Sequence, residues 1–186
     1  MSVEDRRQSI VDAALPLLRE RGADVTTREI ADAAGVAEGT IFRAFTDKQE
    51  IIAAVIERAM DPEPTYAKLR AIDPALSLEQ TVTAIVHVLR ERFSGVVGLM
   101  SVLHQVEGAP GNRRYAHTHS EASGVSVTTA ILERHAGRMR IEPAAAAHII
   151  RVLVFGVTMP RFGSEAVLTT DDIVDFVLRG VVKEGA

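Results

Sequence analysis

The stretch that most constrains this chain is IADAAGVAEGTIFRAF, residues 30–45, in which Gly35 and Gly39 stand between two apolar-periodic runs. Each run is far shorter than the ~12–15 residues an isolated helix needs to be even marginally stable. Both must therefore pack against each other and against a larger helical body. The neighbouring sequence supplies that body. Ile10, Ala13, Ala14, Leu17 and Leu18 recur at three- and four-residue spacing, predicting a helix from about Glu4 to Arg21 that ends at Gly22. Thr26-Thr27-Arg28-Glu29 reads as a capping box for a second helix that stops at Gly35. A third covers roughly Glu38 to Phe45. A second capping box, Asp47-Lys48-Gln49-Glu50, precedes Ile51, Ile52, Val55 and Ile56 in a fourth helix that runs to about Met60.

At about 100° per residue, Ile41 and Phe45 share one side of the third helix. Gly39, Thr40 and Arg43 fall on the other, with Phe42 on the flank. The inward pair can pack on Ile30, Ala31 and Ala34, while Val36 plugs the turn. Two short helices joined in this way form a helix-turn-helix unit, whose second member can lie in a DNA major groove.

Beyond residue 60 the pattern stays helical. DPEP at residues 61–64 carries two prolines and reads as a boundary. Helices are predicted over residues 77–93, 94–107, 114–137, 143–159 and 170–183. Leu78, Val82, Ile85, Val86 and Leu89 cover more than one side of theirs, Pro143 suits a first turn, and Thr170 with Asp171 and Asp172 marks another start. No strand pattern or internal repeat is visible. The expected fold is all-α, with an N-terminal three-helix helix-turn-helix DNA-binding domain over residues 1–60 and a C-terminal helical bundle for ligand binding and dimerisation over residues 61–186.

Composition excludes several functions. The chain has no cysteine, which removes disulfides, thiolate zinc sites and cysteine nucleophiles and suits a cytoplasmic location. The opening residues mix charges in a way no secretory signal does. The apolar stretch from Ala144 to Met159 is shorter than the ~20 residues that span a bilayer and contains His148 and Arg151, so it reads as a buried helix with no membrane role. The net charge is -4, and residues 1–60 hold 8 Lys plus Arg against 11 Asp plus Glu. Any nucleic-acid contact must rest on where a few cations stand.

The run VTTREIADAAGVAEGTIFRAFTDKQEII resembles the DNA-binding domain of the tetracycline-repressor (TetR) family of bacterial transcription regulators. The order is specific: a threonine cap, I-A-x-x-A-G-V, G-T-I-F-R-x-F, then D-K-x-E. The resemblance implies that Thr27 and Arg28 contact DNA from the second helix. Gly39, Thr40, Phe42 and Arg43 are then at the groove, and Lys48 is the phosphate-binding cation. Arg43 has the fork that takes guanine O6 and N7 together, and Thr40 suits a phosphate or a thymine methyl. The family usually has tyrosine at the position of Phe42, and often histidine or tyrosine at that of Ala44, so a hydroxyl contact to phosphate is lost here. Arg6 and Arg7 are candidates to compensate. Glu38 either stabilises its helix N-terminus or accepts from cytosine N4, and the first role is favoured.

All six histidines, His87, His104, His117, His119, His135 and His148, lie beyond residue 60. No HExxH, Gly-x-Ser-x-Gly or phosphate-cradling motif accompanies them, and no metal or cofactor is expected. The resemblance implies a pocket for a small apolar effector in the helical body, with His87, Met100, His104, Tyr115, His119, Phe155 and Met159 as candidates. It also implies a homodimer through the last two helices, where Ile149, Ile150, Val152, Leu153 and Val154 are followed by Ile173, Val174, Phe176 and Val177. The expected function is a ligand-responsive regulator, a repressor by family habit, that binds a pseudo-palindromic operator as a dimer. A protein-interaction module that has lost DNA binding and a histidine-dependent enzyme are the alternatives.

Overall fold

A computed structural model describes residues 2–103, 121–159 and 168–182. Among them run the helices α1 (Val3–Arg21), α2 (Thr27–Ala33), α3 (Glu38–Ala44), α4 (Lys48–Met60), α5 (Glu63–Arg70), α6 (Leu78–Leu103), α7 (Glu121–Leu132), α8 (Pro143–Thr158) and α9 (Thr170–Val181). No strand occurs among the described residues, and the fold is all-α as expected. None of the described helices is long and apolar enough to cross a membrane. The chain divides into two compact units. One joins Met1–Asp61 to the stretch that opens at Gly95, and the other joins Pro62–Ser94 to the remaining described C-terminal residues.

In the first unit, α1 packs on α2, α3 and α4. The core holds Ile10, Ala14 and Leu18 of α1, Ile30 and Ala31 of α2, Ile41 and Phe45 around α3, and Ile51, Ile52 and Val55 of α4, with Leu99 of α6 added. Sequence periodicity identified all of these except Leu99. Gly35 has φ +66, the left-handed conformation that ends α2, and a Cβ there would meet nothing within 4 Å. Its glycine is demanded by backbone conformation, with no crowding involved. Thr26 and Glu29 exchange the two hydrogen bonds of a capping box, and Ser2 and Asp5 form another before α1. The second predicted box is only half made. Asp47 accepts from the Glu50 amide at 2.8 Å, but Glu50 turns its carboxylate to the amide and hydroxyl of Thr46 at 2.7 and 2.9 Å.

The second unit departs from expectation in four places. Residues 61–64 do more than interrupt, because Pro62 caps α5 and Pro64 sits in its first turn. There the missing amide hydrogen and fixed φ do no harm. The helix predicted to break at Ser94 continues to Leu103, since an isolated glycine such as Gly95 costs a helix only ~1 kcal/mol. The described part of the predicted 114–137 helix is α7, which tightens into a 3-10 turn at Glu133–Arg138. The cap of α9 is Thr169, one residue earlier than its acidic turn suggested, with Asp172 closing the box. Leu78, Val82, Ile85, Val86 and Leu89 are buried as predicted, alongside Ile131, Leu132, Ile150, Val154, Ile173 and Val177. His135 lies 3.1 Å from the Thr81 hydroxyl, and desolvation, then Arg138 and Arg134, lower its pKa. This histidine is a structural anchor. An antiparallel bridge pairs Met139 with Val182.

Glu29 accepts from the Thr26 amide, from Arg21 and from the Thr26 hydroxyl, which together bring its pKa from 4.5 to about 2. A carboxylate with a depressed folded pKa stabilises above its unfolded value and loses that contribution as pH falls through the folded one. Glu29→Gln is therefore expected to lower the melting temperature at neutral pH. The gap from wild type narrows below pH 4.5 and is nearly closed at pH 2. Thermal denaturation across that range checks it.

Candidate nucleic-acid interface and body cavity

The orientation of α3 is set at both ends. At its C-terminal end, Arg7 of α1 donates to the Ala44 carbonyl, donates to Glu50 at 2.9 Å and lays its guanidinium 4.1 Å over the Phe45 ring. Glu50 is held by Thr46 and Arg7, and the Thr46 amide, then Arg7, keep its carboxyl below the usual range. One arginine thus joins α1, the end of α3 and the start of α4. Arg7 is accordingly not available to replace a lost phosphate contact, which corrects the expectation drawn from Phe42. Near the N-terminal end of α3, the Thr27 hydroxyl donates to Glu38 at 2.8 Å and ties the starts of α2 and α3 together.

With Ile41 at 0% and Phe45 at 2% exposure, the rest of α3 must point outward. Gly39 and Arg43 are exposed, Thr40 is half-buried, and Phe42 is 55% exposed. A Cβ on Gly39 would meet nothing within 4 Å, so open space lies in front of it. On α2, Arg28 is exposed and Thr27 half-buried, and Lys48 is half-buried at the start of α4. Ion pairs sort the cations of this unit. Arg7 pairs with Glu50, Arg21 with Glu29, and Arg58 with Asp12 and Asp61. Neither Arg28 nor Arg43 joins an ion pair among the described residues. Glu38, whose role was open, accepts from Thr27 at the first turn of α3.

The second unit contains an open cavity of about 590 Å³ lined by Phe93 of α6, Val125 and Ser126 of α7, and His148, Arg151, Val152 and Phe155 of α8. That size suits a small-molecule site. Phe93 and Phe155 meet edge to face, with ring centroids 5.4 Å apart. Of the sequence candidates, Phe155 lines this cavity, whereas exposed His87 and half-buried Met159 do not. The Met100 side chain, His104, Tyr115 and His119 fall outside what the structure describes. His148 and Arg151 drew notice only as interruptions of an apolar run. The missed signal was their spacing, since residues 148, 151 and 155 share one side of a helix.

The chain thus combines a helix-turn-helix unit with a helical body that holds a cavity. Residues 10–55 match the model of bacterial regulatory proteins of the tetR family. Residues 10–55 of the chain are thus similar to the DNA-binding region of that family. The chain is 30% identical over 95 residues to the nucleoid occlusion factor SlmA of Haemophilus ducreyi, a match covering 48% of this chain and 47% of SlmA. It is 32% identical over 97 residues to the HTH-type transcriptional repressor KstR2 of Rhodococcus jostii, covering 49% and 47%. The chain spans about half the length of these curated relatives. A solved complex of SmeT with triclosan, SmeT being the repressor of a Stenotrophomonas maltophilia efflux pump, shares the fold at TM-score 0.56. Its identity is 22%, over 97% of this chain and 93% of that one.

The ion-pair pattern separates scaffold from surface. Arg7→Ala is expected to lower unfolding free energy by about 1–2 kcal/mol, from the loss of charge-assisted hydrogen bonds that are only partly solvated. Arg28→Ala is expected to change it by less than about 0.5 kcal/mol. Urea denaturation of both variants measures the contrast.

Proposed function

We propose that the chain is a dimeric transcription regulator that binds a pseudo-palindromic operator and is released by a small effector held in its helical body. The observation that carries this reading is α3 itself. Its apolar side is wholly buried, its ends are fastened by Arg7 and by the Thr27–Glu38 bond, and Gly39, Thr40, Phe42 and Arg43 are left facing outward. In this reading residues 1–60 are the DNA-binding domain and residues 61–186 the ligand-binding and dimerisation domain. Arg43 reads a guanine edge, Thr40 and Phe42 meet sugar, phosphate or a thymine methyl, and Thr27, Arg28 and Lys48 fix the register through phosphates.

Dimerisation is supported by the way apolar residues of α8 and α9 divide. Ile150, Val154, Ile173, Val174 and Val177 are buried, whereas Ile149, Val152 and Phe176 are 41%, 54% and 65% exposed. The exposed set suits a second copy, and a two-fold pair presents its reading helices ~34–36 Å apart or at a multiple of that. KstR2 is a transcriptional repressor and SmeT a repressor with a small-molecule complex, and both favour repression with effector release here. A protein of this kind works in the cytoplasm, beside its DNA, and the reading gives it no catalytic role.

The acidic balance of residues 1–60 and the exposed Phe42 favour a second reading, a protein-interaction module without DNA binding. Titration against an inverted repeat taken from the DNA upstream of the coding sequence separates the two. A regulator binds with an affinity that falls steeply with salt as counterions are released. Arg43→Ala is expected to lose about 1–3 kcal/mol and to relax preference at one base pair of each half-site. Lys48→Ala is expected to weaken all duplexes alike and to reduce the salt slope by about one. Salt-insensitive behaviour, or variants that bind as wild type, would favour the interaction module.

A further inference from the structure

We propose that the cavity lined by α6, α7 and α8 takes an apolar monocarboxylate, with the acid group on Arg151 and the tail against Phe93, Phe155 and Val152. The inference deepens the effector reading above and rests on it for its regulatory meaning. Arg151 is half-buried, its guanidinium carbon lies 5.5 Å from the Phe93 ring centroid, and among the described residues no carboxylate pairs with it. A cation partly withdrawn from water and left without a counter-charge is an unfavourable arrangement that a bound anion relieves. Among the described residues, no acidic side chain stands in the cavity lining to compete for it.

The surroundings are shaped for this cation. A Cβ on Gly124 would come within 3.1 Å of Arg151 Nη1 and 3.2 Å of the Tyr66 hydroxyl. The absence of that side chain lets the Arg151 guanidinium lie close against α7, next to the Tyr66 phenol. His148, three residues before Arg151 on α8, adds a ring nitrogen at the rim. Among the described residues the lining contains a single permanent charge, Arg151, which matches a carboxylate and leaves one charge of a phosphate dianion uncompensated. Two aromatic rings and Val152 set the tail as aliphatic or aromatic. Exposed Ile149 stands two positions from Arg151, about 160° away around the helix, whereas exposed Val152 also lines the cavity.

Calorimetric titration of the purified full-length chain with 4-phenylbutyrate and with the uncharged 4-phenylbutanol tests this. The acid is expected to bind about ten- to a hundredfold more tightly than the alcohol. Arg151→Met, which keeps an unbranched apolar stem, should erase that preference and leave alcohol binding within about twofold. Equal binding of acid and alcohol by wild type, a preference that survives Arg151→Met, or no saturable binding of 4-phenylbutyrate, decanoate or 1-naphthylacetate would each overturn the proposal. If Arg151→Met shows no cooperative thermal transition, Ser126→Trp, which fills the cavity from its exposed edge, takes its place, and acid binding must then disappear. Operator affinity measured with and without bound acid keeps the two readings apart. Acid binding that leaves DNA affinity unchanged retires the effector role and keeps the site.

Discussion

Everything the first unit can present to a partner depends on how firmly α3 is held, and a seven-residue helix cannot hold itself. Two buried side chains, Ile41 and Phe45, supply most of the adhesion. Burial alone fixes which side of α3 faces inward but leaves the helix free to slide and tilt. The Arg7 bonds to the Ala44 carbonyl and Glu50 remove that freedom by joining three helices at one guanidinium. Phe45 contributes twice, as a core residue and as the ring under Arg7. The glutamate of D-K-x-E therefore has a physical purpose beyond ending a cap. It is the acceptor that keeps Arg7 over the end of α3.

The same ion pairs resolve an apparent conflict. A unit with more carboxylates than cations is a poor polyanion binder if its charges are spread evenly. They are not spread evenly, because Glu50, Glu29, Asp12 and Asp61 are occupied with Arg7, Arg21 and Arg58. Arg28 and Arg43 stay outside these pairs. Net charge describes the unit at long range, while contact is decided by local placement within about a Debye length of ~8–10 Å.

Much of this was legible in the sequence because it depends on short-range periodicity. Ile10, Ile30, Ile41 and Ile51 are each one helical repeat from other core residues, and Gly35 and Thr26 announce a conformation that their own chemistry requires. What escaped was mostly decided by distance along the chain. Arg7 and Glu50 are 43 residues apart, and no local window distinguishes that pair from two solvated charges. The same holds for Arg151 against Phe93 and for Leu99 in a core formed mainly by residues before 61. Two other misses were local signals misread. Proline was taken as an end at Pro62 and Pro64, where first-turn geometry made it a beginning. The sequence pattern divides the helix at Ser94, although tertiary packing carries it through a single weak position such as Gly95.

Helix α8, whose apolar run predicts a simply buried helix, is instead divided among three environments. Ala146, Ala147, Ile150 and Val154 pack into the core, Ile149 is open, and His148, Arg151, Val152 and Phe155 edge a cavity. An all-round apolar helix would bury every side in one chain, and a simple amphipathic one would set polar residues opposite the core. This sequence does neither. It keeps an apolar face exposed and places its only arginine between that face and the neighbouring α7, beside a glycine that leaves it room. Such an arrangement has little to recommend it as packing within a single chain. It becomes economical if one exposed side is covered by another protein surface and the arginine by a small anion, so that two different partners are met on adjacent sides of the same rigid rod.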